Sequence, residues 1–184
     1  YGQLGDGTTV NKLAPTYITG DVTGISAGSL HSMFLSTGGG SYACGNNSNG
    51  ELGDGTTVNK DAPTYITGDV TGIAAGTHHS MFLSTGRGVY TCGYNYFGQL
   101  GDGSTVNKLA PTYITGDVTG IAAGNGHSMF LSTGSESYTC GYNNVGQLGD
   151  GSTVNKLFPT HITGDVAGID AGTSYSIFLS TSSG

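Results

Sequence analysis

The chain has 184 residues, 35 of them glycine, with only 9% charged side chains and a net charge of −7. Soluble domains usually carry about 25% charged residues, so this composition favours turns and short strands over helices. Five lysines and arginines in total argue against a nucleic-acid surface, which needs clustered cations, and no apolar run approaches the roughly 20 residues that span a bilayer, so no membrane insertion is expected.

Low aliphatic content raises the question of disorder. A regular period and recurring Tyr, Ile and Phe count against it. The motif Gly2-Gln-Leu-Gly-Asp-Gly7 returns at Gly50 (with Glu51 in place of Gln), at Gly98 and at Gly146, every 48 residues. A period of this length marks a repeat architecture whose single unit cannot bury its own apolar face. Because the chain opens on Tyr1, it reads as a mature product or as a piece of a longer chain.

The third copy serves as the pattern. After the loop Gly98–Gly103, Pro111–Thr115 reads as a strand, and its leading proline places it outermost, where no ladder N–H is required. Gly116-Asp117 is a turn. Val118–Gly124 follows as a strand of small residues, suited to the crowded innermost position. His127–Ser132 puts Met129 and Leu131 on one face and Phe130 on the other, and Ser137–Gly141 puts Tyr138 and Cys140 on a shared face. Four short antiparallel strands per repeat predict an all-β propeller, with one four-stranded blade per 48 residues and about four blades in a single domain over 1–184.

The order Gly-Gln-Leu-Gly-Asp-Gly, Pro, Val-x-x-Ile-Ala-Ala-Gly-x-x-His-Ser and Tyr-x-Cys-Gly-x-Asn resembles the regulator of chromosome condensation repeat family, over essentially the whole chain. The resemblance implies a propeller like the family's seven-bladed members, used as a protein-binding surface. Those members include an exchange factor, regulators of ubiquitin ligases and a β-lactamase inhibitor. Two departures stand out. The family usually has Trp where Cys44, Cys92 and Cys140 stand, which implies tighter blades, and a period of 48 is short for it. One cysteine per repeat reads as a small apolar slot, not a disulfide framework or zinc site.

The chain falls eight residues short of four periods, and the counterpart of Ser41–Ser48 is what is absent. An outer strand at the start, three complete sheets and a final inner pair, Val166–Gly172 with Ser176–Ser180, are therefore expected. Open edges invite added strands. Two explanations stay open: a fragment of a longer array, or copies associating head to tail.

Variation between copies gathers in loops that emerge on one end of the propeller. These loops nominate Leu30, His78, Tyr94, Tyr96, Phe97, Tyr142 and Val145 as a binding face. The bland alternative is that Tyr94 and Tyr142 pack between blades and the rest is drift. His31, His79 and His127, with Tyr175 in the fourth copy, read as structural, hydrogen-bonded residues. Asp6, Asp54, Asp102 and Asp150 read as turn residues, since Ca²⁺ needs several converging oxygens. No metal or other cofactor is expected. Asn46-Asn47-Ser48 is a glycosylation sequon. Serines 32, 80, 128 and 176 adjoin His or Tyr, but neighbours in a strand point to opposite faces, so no nucleophile with a base beside it is expected and no enzyme is predicted.

The leading expectation is a non-enzymatic extracellular or surface scaffold, structural or adhesive, that self-assembles through open strand edges. The alternative is a protein–protein interaction module that regulates or inhibits a partner. The partner is then another protein or further copies of the chain.

Overall fold

A computed structural model describes residues 1–181. Every regular element in it is a strand, and the order repeats. The first blade is β1 (Val22–Ala27), β2 (His31–Ser36), β3 (Ser41–Gly45) and β4 (Lys60–Thr67). The second is β5 (Val70–Ala75), β6 (His79–Ser84), β7 (Val89–Gly93) and β8 (Lys108–Thr115). The third is β9 (Val118–Ala123), β10 (His127–Ser132), β11 (Ser137–Gly141) and β12 (Lys156–Thr163), and an antiparallel pair follows, β13 (Val166–Ala171) with β14 (Ser176–Ser180). Each four-stranded sheet is ordered as in sequence, so its outermost strand is supplied by the next 48-residue copy.

The small-residue strands are innermost, as expected. β5 packs on both β1 and β9, and β9 on β13. At one end of this axis, Ala75–Thr77 and their counterparts line a recess of about 400 Å³. The core lies between sheets. Met33 and Leu35 of the first blade meet Val70, Phe82 and Cys92 of the second. Met81, Leu83 and Val89 of the second meet Val118, Phe130 and Cys140 of the third. The alternation at Met129, Phe130 and Leu131 thus sends alternate side chains to opposite neighbours, which is how a two-sided blade buries both faces. Farther out, paired strands carry edge-to-face rings: Tyr42 with Tyr65, Tyr90 with Tyr113 and Tyr138 with His161, at 5.4–5.5 Å.

One expectation fails. The opening segment, which should form an outer strand at Pro15–Thr19, has no strand among residues 1–21. Its counterparts β4, β8 and β12 pair with β3, β7 and β11, and without such a neighbour its backbone has no ladder. Leu13 and Tyr17 are fully or largely exposed there. The outer strands also start earlier than their proline, at Lys60, Lys108 and Lys156.

The Gly98–Gly103 loop carries the chain from β7 to β8, and one buried side chain holds it. Asn95 Nδ2 donates to Asp102 Oδ1 (2.9 Å), to the Ser104 carbonyl (3.1 Å) and to the Val106 carbonyl (3.2 Å). Its Oδ1 accepts from the Leu100 N–H (3.0 Å), which fixes Leu100 at 0% exposure. Asn47 and Asn143 repeat the arrangement. Gly101, at φ 79°, lies so close to Cys140 that a Cβ would come within 3.0 Å of its sulfur. Removing the Asn95 amide strands the Leu100 N–H in the interior. Asn95→Ala should therefore cost about 2–3 kcal/mol, read as a lower urea midpoint. An unchanged midpoint would mean the loop is held by something else.

Candidate functional site

Two buried devices decide how the loops at one end of the propeller are presented. The first joins neighbouring blades. His79 Nε2 lies 2.9 Å from Ser128 Oγ on the next blade, and Ser128 Oγ donates to the Gln99 carbonyl at 2.7 Å. Since the only hydroxyl proton goes to the carbonyl, Nε2 must be the protonated nitrogen and the serine oxygen its acceptor. Cys140, the cross-strand partner of Ser128, directs its thiol at the same carbonyl, 3.6 Å away. The set recurs: His31 with Ser80 and the Glu51 carbonyl, and His127 with Ser176 and the Gln147 carbonyl.

The expectation that histidine and serine do not meet is thus right within a strand and wrong across blades. The pair still has the wrong polarity for nucleophilic catalysis, where the imidazole must accept the hydroxyl proton. Ser80 and Ser128 are also fully buried, and Nδ1 of His31, His79 and His127 has no hydrogen-bond partner to orient the ring. Burial lowers the pKa of these imidazoles to about 4 for His31, about 3 for His79 and about 4 for His127. In the fourth copy Tyr175 takes the histidine's place, its ring lying over Gly172 as His127 lies over Gly124.

The second device braces the loop tips. The buried Gln99 accepts the Phe97 N–H at its Oε1 (3.0 Å), and Gln147 does the same for Val145 (3.1 Å). In the second copy the brace is Glu51, 1% exposed, which accepts from the Asn49 N–H and from Asn49 Nδ2, both at 2.8 Å. The same copy alone carries His78, whose Nδ1 lies 3.6 Å from Glu51 Oε1. The two residues that distinguish this copy face each other across the blade boundary.

Of the seven nominated residues the structure gathers five. Tyr94 stands 6.2 Å from His78, 6.4 Å from Tyr96 and 6.1 Å from Phe97. Tyr96 and Phe97 are 5.2 Å apart, and Phe97 reaches Tyr142 of the third blade at 4.4 Å. Tyr96 is 67% exposed, while Tyr94, Phe97 and Tyr142 are half-buried. Tyr142 therefore does pack at a blade boundary, against Phe97, whereas the ring contacts of Tyr94 lie within its own blade and support the exposed Tyr96. Leu30 occupies the place of His78 on the first blade, and Val145 that of Phe97 on the third, and neither carries a ring to extend the cluster.

The Asp-Gly turns are occupied by the protein's own groups. Asp102 accepts from Ser104 and Asn95 and pairs with Lys108 at 3.0 Å. For Asp150, burial opposes ionisation, but hydrogen bonds from Ser152, Lys156 and Asn143 outweigh it and hold the pKa at about 2. Among the described residues no three His, Cys, Asp or Glu side chains gather where a metal could sit. Asn46 of the sequon is 7% exposed, with its Oδ1 accepting from the Ser48 hydroxyl and N–H.

Sequence reasoning carries Asn47, Asn95 and Asn143 only as the last position of the Tyr-x-Cys-Gly-x-Asn motif and gives them no role in holding the loop. Their 48-residue spacing was the available signal. It also missed the Glu51–His78 coincidence, visible as two departures confined to one copy.

Two outcomes follow from the burial. The three histidines are neutral when folded and have depressed pKa values, so the stability they contribute is complete above their unfolded pKa of about 6.5 and is lost as pH falls towards 4. Melting temperature should be flat above pH 7 and drop between pH 6.5 and 4, before the turn aspartates are protonated. A flat profile down to pH 4 would contradict the burial. Burial raises the Cys44 thiol pKa to about 11 and pushes Cys92 and Cys140 up too. Alkylation at pH 8 should label none of the three in the native protein and all three in denaturant.

Comparison with known proteins accords with this architecture. The regulator of chromosome condensation (RCC1) repeat profile matches residues 1–35, 39–83, 88–131 and 136–179, and a second profile of the same description matches 22–51, 70–99 and 118–147. Among curated protein sequences none matches the chain. Among solved structures, Prp20p of Saccharomyces cerevisiae, described with its binding properties to Gsp1p and histones, superposes with a TM-score of 0.79 at 22% identity, over 88% of this chain and 44% of that one. The same yeast protein bound to Kap60 gives 0.79 at 22% identity, over 91% and 43%. Human WBSCR16 gives 0.60 at 21% identity, over 99% and 65%. The chain spans less than half the length of Prp20p. With the repeat matched four times along its length and the inter-blade geometry repeated with it, the chain belongs to the regulator of chromosome condensation repeat family.

Proposed function

We propose that this propeller is a non-catalytic protein-interaction module that binds a partner through the aromatic end of its second and third blades. The observation that carries the reading is the ring cluster itself. Exposed Tyr96 rests on half-buried Tyr94 and Phe97, and Phe97 is fixed at its backbone by buried Gln99. Aromatic anchors held by a rigid scaffold lose little conformational entropy on binding, which is why such residues dominate interface energetics. Prp20p, of similar fold, is described as binding Gsp1p, histones and Kap60, which supports the general use of this scaffold without naming a partner here.

A scaffold that self-assembles is the second reading, supported by one observation. The outer edge of β14 has no strand beside it among the described residues, and Ile177 and Leu179 are exposed where the equivalent Met129 is buried and Leu131 half-buried. The ring cluster is the more specific feature, so the interaction reading is preferred.

The test is a Tyr96→Ser, Phe97→Ser double variant. Because Phe97 packs on Tyr142, the variant should lose about 1–2 kcal/mol of stability yet remain folded. It should lose the proteins that the immobilised wild-type chain retains, and equal retention by both would overturn the proposed face. Sizing the purified chain against its 18.5 kDa decides the second reading, which a stable monomer would remove.

A further inference from the structure

Away from the aromatic loops, the second and third blades part towards the rim and leave a cleft of about 790 Å³ between β8 on one side and β10, β11 and β12 on the other. Its floor is apolar, made by Phe130, Ile114 and Val118, and Tyr138 and Pro159 wall it on the third-blade side. Sites for small organic ligands have this character, with volumes of about 300–1,000 Å³.

A smaller cleft, of about 340 Å³, lies between the opening segment and the first blade, and each residue lining it has its counterpart in the larger one. The larger cleft adds two side chains that no other copy carries. Glu136 stands where Gly40 and Gly88 do, and Phe158 where Ala14, Ala62 and Ala110 do. Phe158 is 63% exposed, with its ring over Gly103 of the second-blade loop. Two departures confined to one copy therefore meet at one cavity.

Charge narrows the ligand. Of the three carboxylates that line the cleft, Asp102 is spent on Lys108. Asp117 and Glu136 are exposed and form no ion pair among the described residues. The turns that carry them are tied together: the Thr133 N–H donates to the Asp117 carbonyl at 2.7 Å, and the Ser132 N–H to the Glu136 carbonyl at 2.8 Å. Glu136 Oε2 also accepts the Tyr138 hydroxyl at 2.7 Å, which holds the carboxylate beside the ring that walls the cleft. Lys12, Lys60, Lys108 and Lys156 all pair with turn aspartates. Arg87 adjoins this end, its carbonyl accepting the Val118 N–H at 3.1 Å, so two carboxylates stand against one cation.

Carboxylates only accept, and acceptors on two separate turns suit a compact head with three rotatable donors better than the planar fork of a guanidinium. We propose that this cleft binds a small aromatic amine, its ring lying over Phe130 between Tyr138 and Phe158 and its primary ammonium held by Glu136 and Asp117.

The probe is phenethylamine, titrated into the full chain while the aromatic side-chain resonances are followed by NMR. Controls are phenethyl alcohol, which keeps the ring without the charge, and methylamine, which keeps the charge without the ring. Saturable shifts of Tyr138 and Phe158 are expected, with the amine binding at least about fivefold tighter than the alcohol. Glu136→Gln, which still accepts the Tyr138 hydroxyl, should lose most of that preference. Phe158→Ala, the residue of the other copies, should weaken amine and alcohol alike. The Tyr96→Ser, Phe97→Ser double variant should bind phenethylamine as the wild type does, which separates this site from the interaction face. No saturable shift with phenethylamine, equal binding of the alcohol, or equal binding of methylamine would each overturn the proposal.

Discussion

A single backbone carbonyl per repeat, that of residue 51, 99 or 147, is the point on which neighbouring blades meet. It belongs to the loop of one blade and accepts the serine hydroxyl of the next. At residues 51 and 99 it also faces the cysteine thiol of that next blade. The serine in turn accepts from the histidine of the first blade. One buried hydroxyl therefore ties two separate parts of one blade, a strand and a loop, to its neighbour. In a medium where an unpaired polar group costs a few kcal/mol, this fixes the rotation of one blade against the next more tightly than the apolar contacts of methionine and phenylalanine, which are adaptable.

Small side chains are a corollary of that geometry. The sulfur of Cys140 packs where Gly101 turns, and the ring of His79 lies where a Cβ on Gly76 would fall 2.3 Å from it. A bulkier residue at the cysteine position would push the loop off its carbonyl contact. The absence of tryptophan is thereby matched by the close approach of loop and strand. Stability in such an array is a sum of repeat and interface terms. Loss of one stitch should be felt at one boundary while the remaining blades keep their packing.

The same stitches make a functional surface out of loops. Because Gln99 is anchored at its carbonyl by Ser128 and at its side chain by the Phe97 N–H, the loop tip inherits the rigidity of the blade boundary. Tyr94, Tyr96 and Phe97 vary between copies, while the buried brace at this position is a Gln or Glu side chain in each. A repeat protein can in this way change its surface at one loop without disturbing the array, and the second copy has done so three times over, in its rings, in Glu51 and in His78.

The amino-acid sequence by itself determined the period, the four-strand order, the innermost and outermost strands and the alternation of core side chains. Each is set by local constraints: proline without an N–H, small residues, and a side-chain period of two. It also marked the aromatic loops, since drift between copies is visible without a structure. Only the tertiary structure decided that Pro15–Thr19 forms no strand, because a strand exists through its neighbour's hydrogen bonds. It alone brought His79 to Ser128 and His78 to Glu51, and showed Asn95 as the holder of its loop. Partners 49 or 27 residues apart meet only when one blade is laid against the next, and no periodicity within a strand specifies which polar atoms then face each other.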